Sequence, residues 1–156
     1  MKKYLFGVVL LLLSYAFPAA AQGDIASKVS GMQAFPGYFN YYWDAKEGKI
    51  WLEIDKLDQE LLYVNSLTAG VGSNDIGLDR NQLGAERVVV FERSGPKILL
   101  REKNLKFRAV SDNPEEQKSV EEAFASSILW GFKVAAEEEG KLLVDFTPFL
   151  LPDAHG

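Results

Sequence analysis

The residues in this chain able to do chemistry are few and scattered. Four carboxylates lie close together at Glu53, Asp55, Asp58 and Glu60. A glycosidase-type mechanism needs two carboxylates flanking one bond, and Glu53 and Asp55 fall on one face of an extended strand. Strand edges carry such residues routinely, so these carboxylates read first as solvent-facing side chains. There is no Cys, and the one His is His155, immediately before the last residue. Cys nucleophiles, disulfides and any metal motif needing two histidines are therefore excluded within the chain. Serine catalysis lacks a neighbouring base, and no Ser occupies a G-x-S-x-G elbow.

The most unusual stretch runs from Gly70 to Gly84, with glycines at 70, 72, 77 and 84. Spaced glycines permit positive φ and close backbone approach, so the loop could cradle a ligand. It lacks the Gly-Lys-Ser/Thr of a phosphate-binding loop and the G-x-G-x-x-G of a dinucleotide site. Asp79 to Gly84 begins like a calcium loop, but Leu83 stands where a ligand is required and Val90 where the closing Glu belongs. An ordered loop held by Asx turns is the plainer reading. A connection this long is uncommon without a role, which makes Gly72, Ser73, Asn74, Asp75, Gly77, Asp79, Arg80, Gln82 and Gly84 the candidate contact surface. The aromatic cluster Tyr38, Phe39, Tyr41, Tyr42, Trp43 and Trp51 could form a glycan or peptide platform. Core packing with cross-strand pairs explains it equally simply.

The elements that would position these residues are mostly strands. Lys49 to Ile54 alternates, with Ile50, Leu52 and Ile54 on one face and Lys49, Trp51 and Glu53 on the other; with Tyr38 to Trp43 it forms a hairpin turning through Asp44 to Gly48. Further strands are expected at Leu61–Leu67, Arg87–Glu92, Lys97–Glu102, Leu105–Ala109, Trp130–Ala136 and Lys141–Phe146. Turns fall at Ser94-Gly95-Pro96 and at Glu139-Gly140. One helix is announced by Asn113 as cap, Pro114 in the first turn and Glu115 and Glu116 against the dipole, with Val120, Ala123, Phe124 and Ser127 as its buried face. Thr147-Pro148 reads as a second helix start with eight residues after Pro148. The fold expected is mainly β, an antiparallel sheet of hairpins forming a sandwich or half-open barrel, with one helix near 114–127 packed on it.

Residues 1–21 read as a signal peptide: Lys2 and Lys3, an apolar run from Tyr4 to Phe17, then Pro18 and Ala19-Ala20-Ala21. Cleavage there takes the chain from 156 to 135 residues and, by removing two lysines, its net charge from −5 to −7. Residues 22–36 read as a linker and 37–156 as one domain truncated at its C-terminal side. The expected product is exported, periplasmic or secreted, without a stable membrane anchor. Its acidity repels phosphate backbones, so nucleic acid is not an expected partner.

Gly37 to Lys49, Leu62 to Leu67, Gly72 to Gly84, Ser127 to Phe132 and Asp145 to Gly156 together resemble the N-terminal part of a family of large bacterial exported zinc-dependent metalloproteases. In that family this part is a domain of unknown function preceding the peptidase domain. The resemblance implies a non-catalytic accessory domain whose partner is a downstream peptidase domain, where an extended H-E-x-x-H motif holds zinc. None of that motif is in this chain, so no catalytic, cofactor or metal residue carries over and the chain alone is expected to be inactive. The alternatives are a stand-alone extracytoplasmic peptide- or glycan-binding module, and a small hydrolase using Glu53 and Asp55.

Overall fold

Alternating side chains build the sheet. In the computed structural model, which describes residues 23–70, 75 and 79–151, Lys49–Ile54 forms a strand with Leu52 and Ile54 turned to one face and Trp51 and Glu53 to the other. Eight antiparallel strands follow the same rule: β1 (Gln33–Phe35), β2 (Tyr41–Asp44), β3 (Lys49–Ile54), β4 (Leu61–Tyr63), β5 (Arg87–Ser94), β6 (Lys97–Glu102), β7 (Ser127–Glu138) and β8 (Lys141–Asp145). Their spatial order is β1-β2-β3-β8-β7-β6-β5-β4, so β1 and β4 are the two edges. Three short helices, α1 (Ile25–Lys28), α2 (Pro114–Ala123) and α3 (Thr147–Leu150), complete the described residues.

The sheet curls into a half-barrel. Register shifts leave one extra β7 residue between Leu100/Arg101 and their partners Trp130/Ile128, and another opposite Leu143 and Val144. Such bulges raise local twist and bend the strand. The bend brings Phe39, before β2, edge-on to Phe91 of β5 at 5.6 Å, and the Asp58 amide donates to the Phe91 carbonyl at 2.8 Å. The concave face then encloses the main core, with Ile54, Ile98 and Val144 fully buried and Phe91, Leu100 and Phe132 nearly so. Full burial of each such side chain stabilises by about 1.5–3 kcal/mol. Across the sheet, on the convex face, Ile25 of α1 covers Trp51, Ala136 and Leu143.

Tight turns join the hairpins where positive φ is available. Glu139 (φ 49°) and Gly140 (φ 79°) turn β7 into β8, with the side chain that L-residues resist confined to one of the two positions. The bidentate pair of Arg93 with Glu137, at 2.7 and 2.8 Å, ties the β5–β6 turn to β7.

Four expectations need correction. Residues 22–36 are not a featureless linker: Asp24 caps α1, Ile25 is buried, and β1 pairs with β2. No strand forms over Leu105–Ala109, because Asn104 Oδ1 accepts from the Lys106 and Phe107 amides and holds a turn there. α2 starts at its expected cap, with Asn113 accepting from the Glu115 amide at 3.0 Å, but ends at Ala123 and buries none of its residues. The Thr147 hydroxyl does not cap α3; it accepts from the Ile50 amide at 2.8 Å, and Phe146 holds the cap position without a side-chain bond.

Candidate functional site

The concave face leaves an apolar groove open at its mouth, a cavity of about 490 Å³. Tyr38 and Phe39 form one wall, Leu61 and Tyr63 of β4 the other, and Phe91 and Phe149 its floor and end. Phe149 reaches the groove because Pro148 in the first turn of α3 redirects the chain after β8. Its ring meets Phe132 at 5.8 Å, Trp130 at 6.0 Å and Tyr63 at 5.7 Å. At the mouth, Tyr38 is 59 % exposed, its hydroxyl meets Gln59, and Lys56 Nζ donates to its carbonyl while lying 4.6 Å above its ring. The charged side chain in the lining is Glu60, half-exposed and paired with Lys103.

The carboxylates singled out by spacing are separated by the fold. Glu53 is 5 % exposed on the convex face, accepting from Tyr42 Oη at 2.7 Å and Asn40 Nδ2 at 3.2 Å, with Lys141 Nζ at 3.3 Å. Burial, then the hydrogen bond and negative charge of Glu53, push the Tyr42 phenol up to about 12. Asp55 lies beyond β3 and pairs with Lys56 at 2.7 Å, and Glu60 pairs with Lys103. Glu53, Asp55 and Glu60 are thus each committed to a partner of their own, an arrangement for holding structure rather than for flanking a bond. The aromatic cluster is divided likewise. Phe39 faces the groove, Trp51 lies under α1 with Lys28 Nζ 4.7 Å from its ring, and Tyr41 stacks on Phe35 at 4.7 Å. No single platform results: Phe39 and Trp51 pack in the two cores, while Tyr38, Tyr41 and Trp43 stay exposed.

Of the loop positions, Gly72, Ser73, Asn74 and Gly77 lie outside the described residues, as does His155. Asp75 is exposed. The stem after them is ordered: the Asn81 amide donates to the Leu67 carbonyl at 2.8 Å, Leu67 to Gln82 at 3.0 Å and Gly84 to Asn65 at 2.8 Å. Gly84 lets the Asn65 side-chain amide lie against the backbone there; a Cβ would force that amide to move. Asn81 (φ 64°) takes the left-handed turn that Asn tolerates. Asp79, Arg80 and Gln82 flank this stem, exposed or half-buried.

A second cavity, about 530 Å³, lies between α2 and the segment after β6, lined by Arg101, Lys103, Phe107, Arg108, Glu121 and Phe124. Phe107 stacks on Phe124 at 4.1 Å, and Arg101 is already paired with Glu92 at 2.6 Å. Among the described residues no three of His, Cys, Asp and Glu converge on a point where a metal ion could sit. No helix among them is long and apolar enough to cross a membrane. The groove was not legible in the sequence; the available signal was Leu61 and Tyr63 alternating with Leu62, together with the Phe146/Phe149 spacing.

The fold and groove define a class: an open antiparallel half-barrel with an apolar concave face and two free edges. Residues 25–70 match the family described as a domain of unknown function, DUF5118, and residues 81–156 match another domain of unknown function, DUF5117. No curated protein and no solved structure matched the chain. The two matched regions are interleaved in one sheet. β1 to β4 come from the first and β5 to β8 from the second, and the regions meet at both the β3–β8 and β4–β5 ladders.

Proposed function

We propose that this chain is the N-terminal accessory part of an exported zinc-dependent metallopeptidase and serves by packing against a peptidase domain further along the same polypeptide. The observation that supports this reading is an uncovered apolar side around α2. Val110 is 96 % exposed, Leu105 and Ile128 each 55 %, and the stacked Phe107 and Phe124 remain about two fifths exposed, while α2 buries nothing of its own. Apolar residues gathered in this way mark a face that another surface covers. The loop stem at Asp79 to Gly84 offers a second, polar contact to the same partner. The zinc of such an enzyme would belong to the downstream domain, because the described residues provide no ligand set for it. The basic start, apolar run and Ala19-Ala20-Ala21 of the first 21 residues support export, and covering or shaping the peptidase cleft is the role proposed for the accessory part.

The coding sequence beyond codon 156 tests this directly: an in-frame H-E-x-x-H is expected, and an open frame that closes without one removes the proposal. In the longer protein, the amides of 105–110 and 124–128 should exchange hydrogen markedly more slowly than in this chain. Equal exchange in both would show that the α2 face is not the contact.

A further inference from the structure

The edge strand β4 bears on what the groove holds. The Lys103 amide donates to the Val88 carbonyl, so the backbone groups of Val88 point toward the β6 side. Backbone direction alternates along a strand, which turns those of Arg87 and Val89 toward β4. Their register partners are Tyr63 and Leu61, so these two residues spend their backbone bonds on β5. Leu62, between them, must aim its N–H and C=O away from the sheet, and no other described strand pairs with β4.

Exposed edges are normally protected by Lys, Pro, a bulge or a covering segment. β1, the opposite edge, is followed directly by Pro36. β4 is short, which limits its edge to one outward-facing residue, but it carries no Lys, Pro or bulge and no described segment covers it: its residues are Leu-Leu-Tyr, and Leu62 is 74 % exposed. Leu61 and Tyr63 meanwhile point into the groove. An unpaired strand edge thus borders an apolar cavity of about 490 Å³, large enough to take a few apolar side chains. A lipid chain could fill the cavity but would leave the Leu62 N–H and C=O unanswered. An extended peptide satisfies both, with alternate side chains entering the groove. Charge bears on the partner as well: the whole chain carries a net −5, which favours a peptide bearing basic residues, whereas Glu60 in the lining is already paired with Lys103.

We propose that the β4 edge and the adjoining groove bind an extended peptide segment of another protein, added as a ninth strand, with apolar residues at alternating positions and basic residues flanking them. The Leu62 backbone provides the pairing, and Leu61, Tyr63, Phe39 and Phe149 receive the side chains. This site is separate from the α2 face and does not depend on a downstream domain.

The test uses a fluorescent, terminally blocked peptide, Lys-Val-Thr-Phe-Thr-Val-Lys, titrated with the purified chain and followed by anisotropy. Saturable binding is expected. Leu62→Pro, which removes the outward N–H without touching a bond to β5, should weaken it about tenfold, and Leu62→Thr should leave it within about twofold. Should Leu62→Pro fail to fold by circular dichroism, the parent chain is titrated with the peptide N-methylated at alternate amides, for which one of the two methylation phases should lose the same factor. Binding unaffected by either N-methylation phase overturns strand addition. So does concentration-dependent dimerisation that Leu62→Pro abolishes, since a second copy would then be the occupant. Dodecanoate binding with no peptide binding overturns it as well.

Discussion

Glu53 shows how far a residue's role depends on its surroundings. A carboxylate in an alternating strand has the appearance of a solvent-facing acid, yet this one is enclosed by Tyr42, Asn40 and Lys141 on the convex face. Removing its charge should be read most directly at Tyr42. In Glu53→Gln the phenol should titrate below about 12 but still above its ordinary 10, because burial, the largest cause, remains. An absorbance titration of the tyrosinate decides this, and an unmoved Tyr42 would mean that Glu53 does not act on it. The sign of the pH dependence follows. Tyr42 is held protonated longer in the folded chain than in the unfolded one, so its contribution is intact below about pH 10 and is lost as pH rises through about 12. The same substitution should cost on the order of 1–2 kcal/mol near neutrality, through a weakened charged hydrogen bond in a buried site.

Among the elements, the two C-terminal helices contrast. α2 has the stronger local signals: an Asn cap, Pro in the first turn and acidic residues at its positive end. It nevertheless buries nothing, so local propensity makes a helix there without making it part of the core. α3 is only four residues long, but it carries Phe149 into contact with Phe132, Trp130, Tyr63 and Phe146. Opposite outcomes are expected from one substitution in each. Asn113→Ala should weaken α2 locally by about 1 kcal/mol and leave the urea midpoint of the sheet almost unchanged. Phe149→Ala should lower global stability by about 2–3 kcal/mol, a half-buried aromatic lying near the lower end of the range for core truncation. Equal shifts of the unfolding midpoint by both variants would contradict this division. Legibility follows the same line. The cap and first turn of α2 are spelled out in consecutive residues, whereas its lack of burial reflects a sheet face already filled by other strands.

At the level of the molecule, the chain crosses between its two halves twice. β3 pairs with β8, and β4 pairs with β5, so the residues matched by the two families share one concave core. Residues 25–70 alone contain β4 with nothing to pair against, and residues 81–156 alone lack the Leu52, Ile54 and Phe39 side of the core. Neither piece expressed by itself should show a cooperative thermal transition, while the joined chain should show one. A cooperative melt of the isolated 25–70 piece would establish it as an independent domain and refute this account. The shared sheet also explains why two adjoining families of unknown function are best treated as one structural unit in this protein.

Alternation, turn chemistry and the Asn113-Pro114 signal were enough to determine an antiparallel, hairpin-built sheet with a helix near 114, because those properties depend on neighbours in the chain. The Lys49–Ile54 face assignment, the Glu139-Gly140 turn and the β5–β6 hairpin all rest on such short-range rules, and the structure has them. Tertiary structure alone decided which strands meet, that residues 25–35 belong to the fold, and that Tyr38, Tyr63 and Phe149 share one groove. The reason is physical: these contacts join residues far apart in sequence, and their geometry is set by how the bulged sheet curls rather than by the preferences of any one segment.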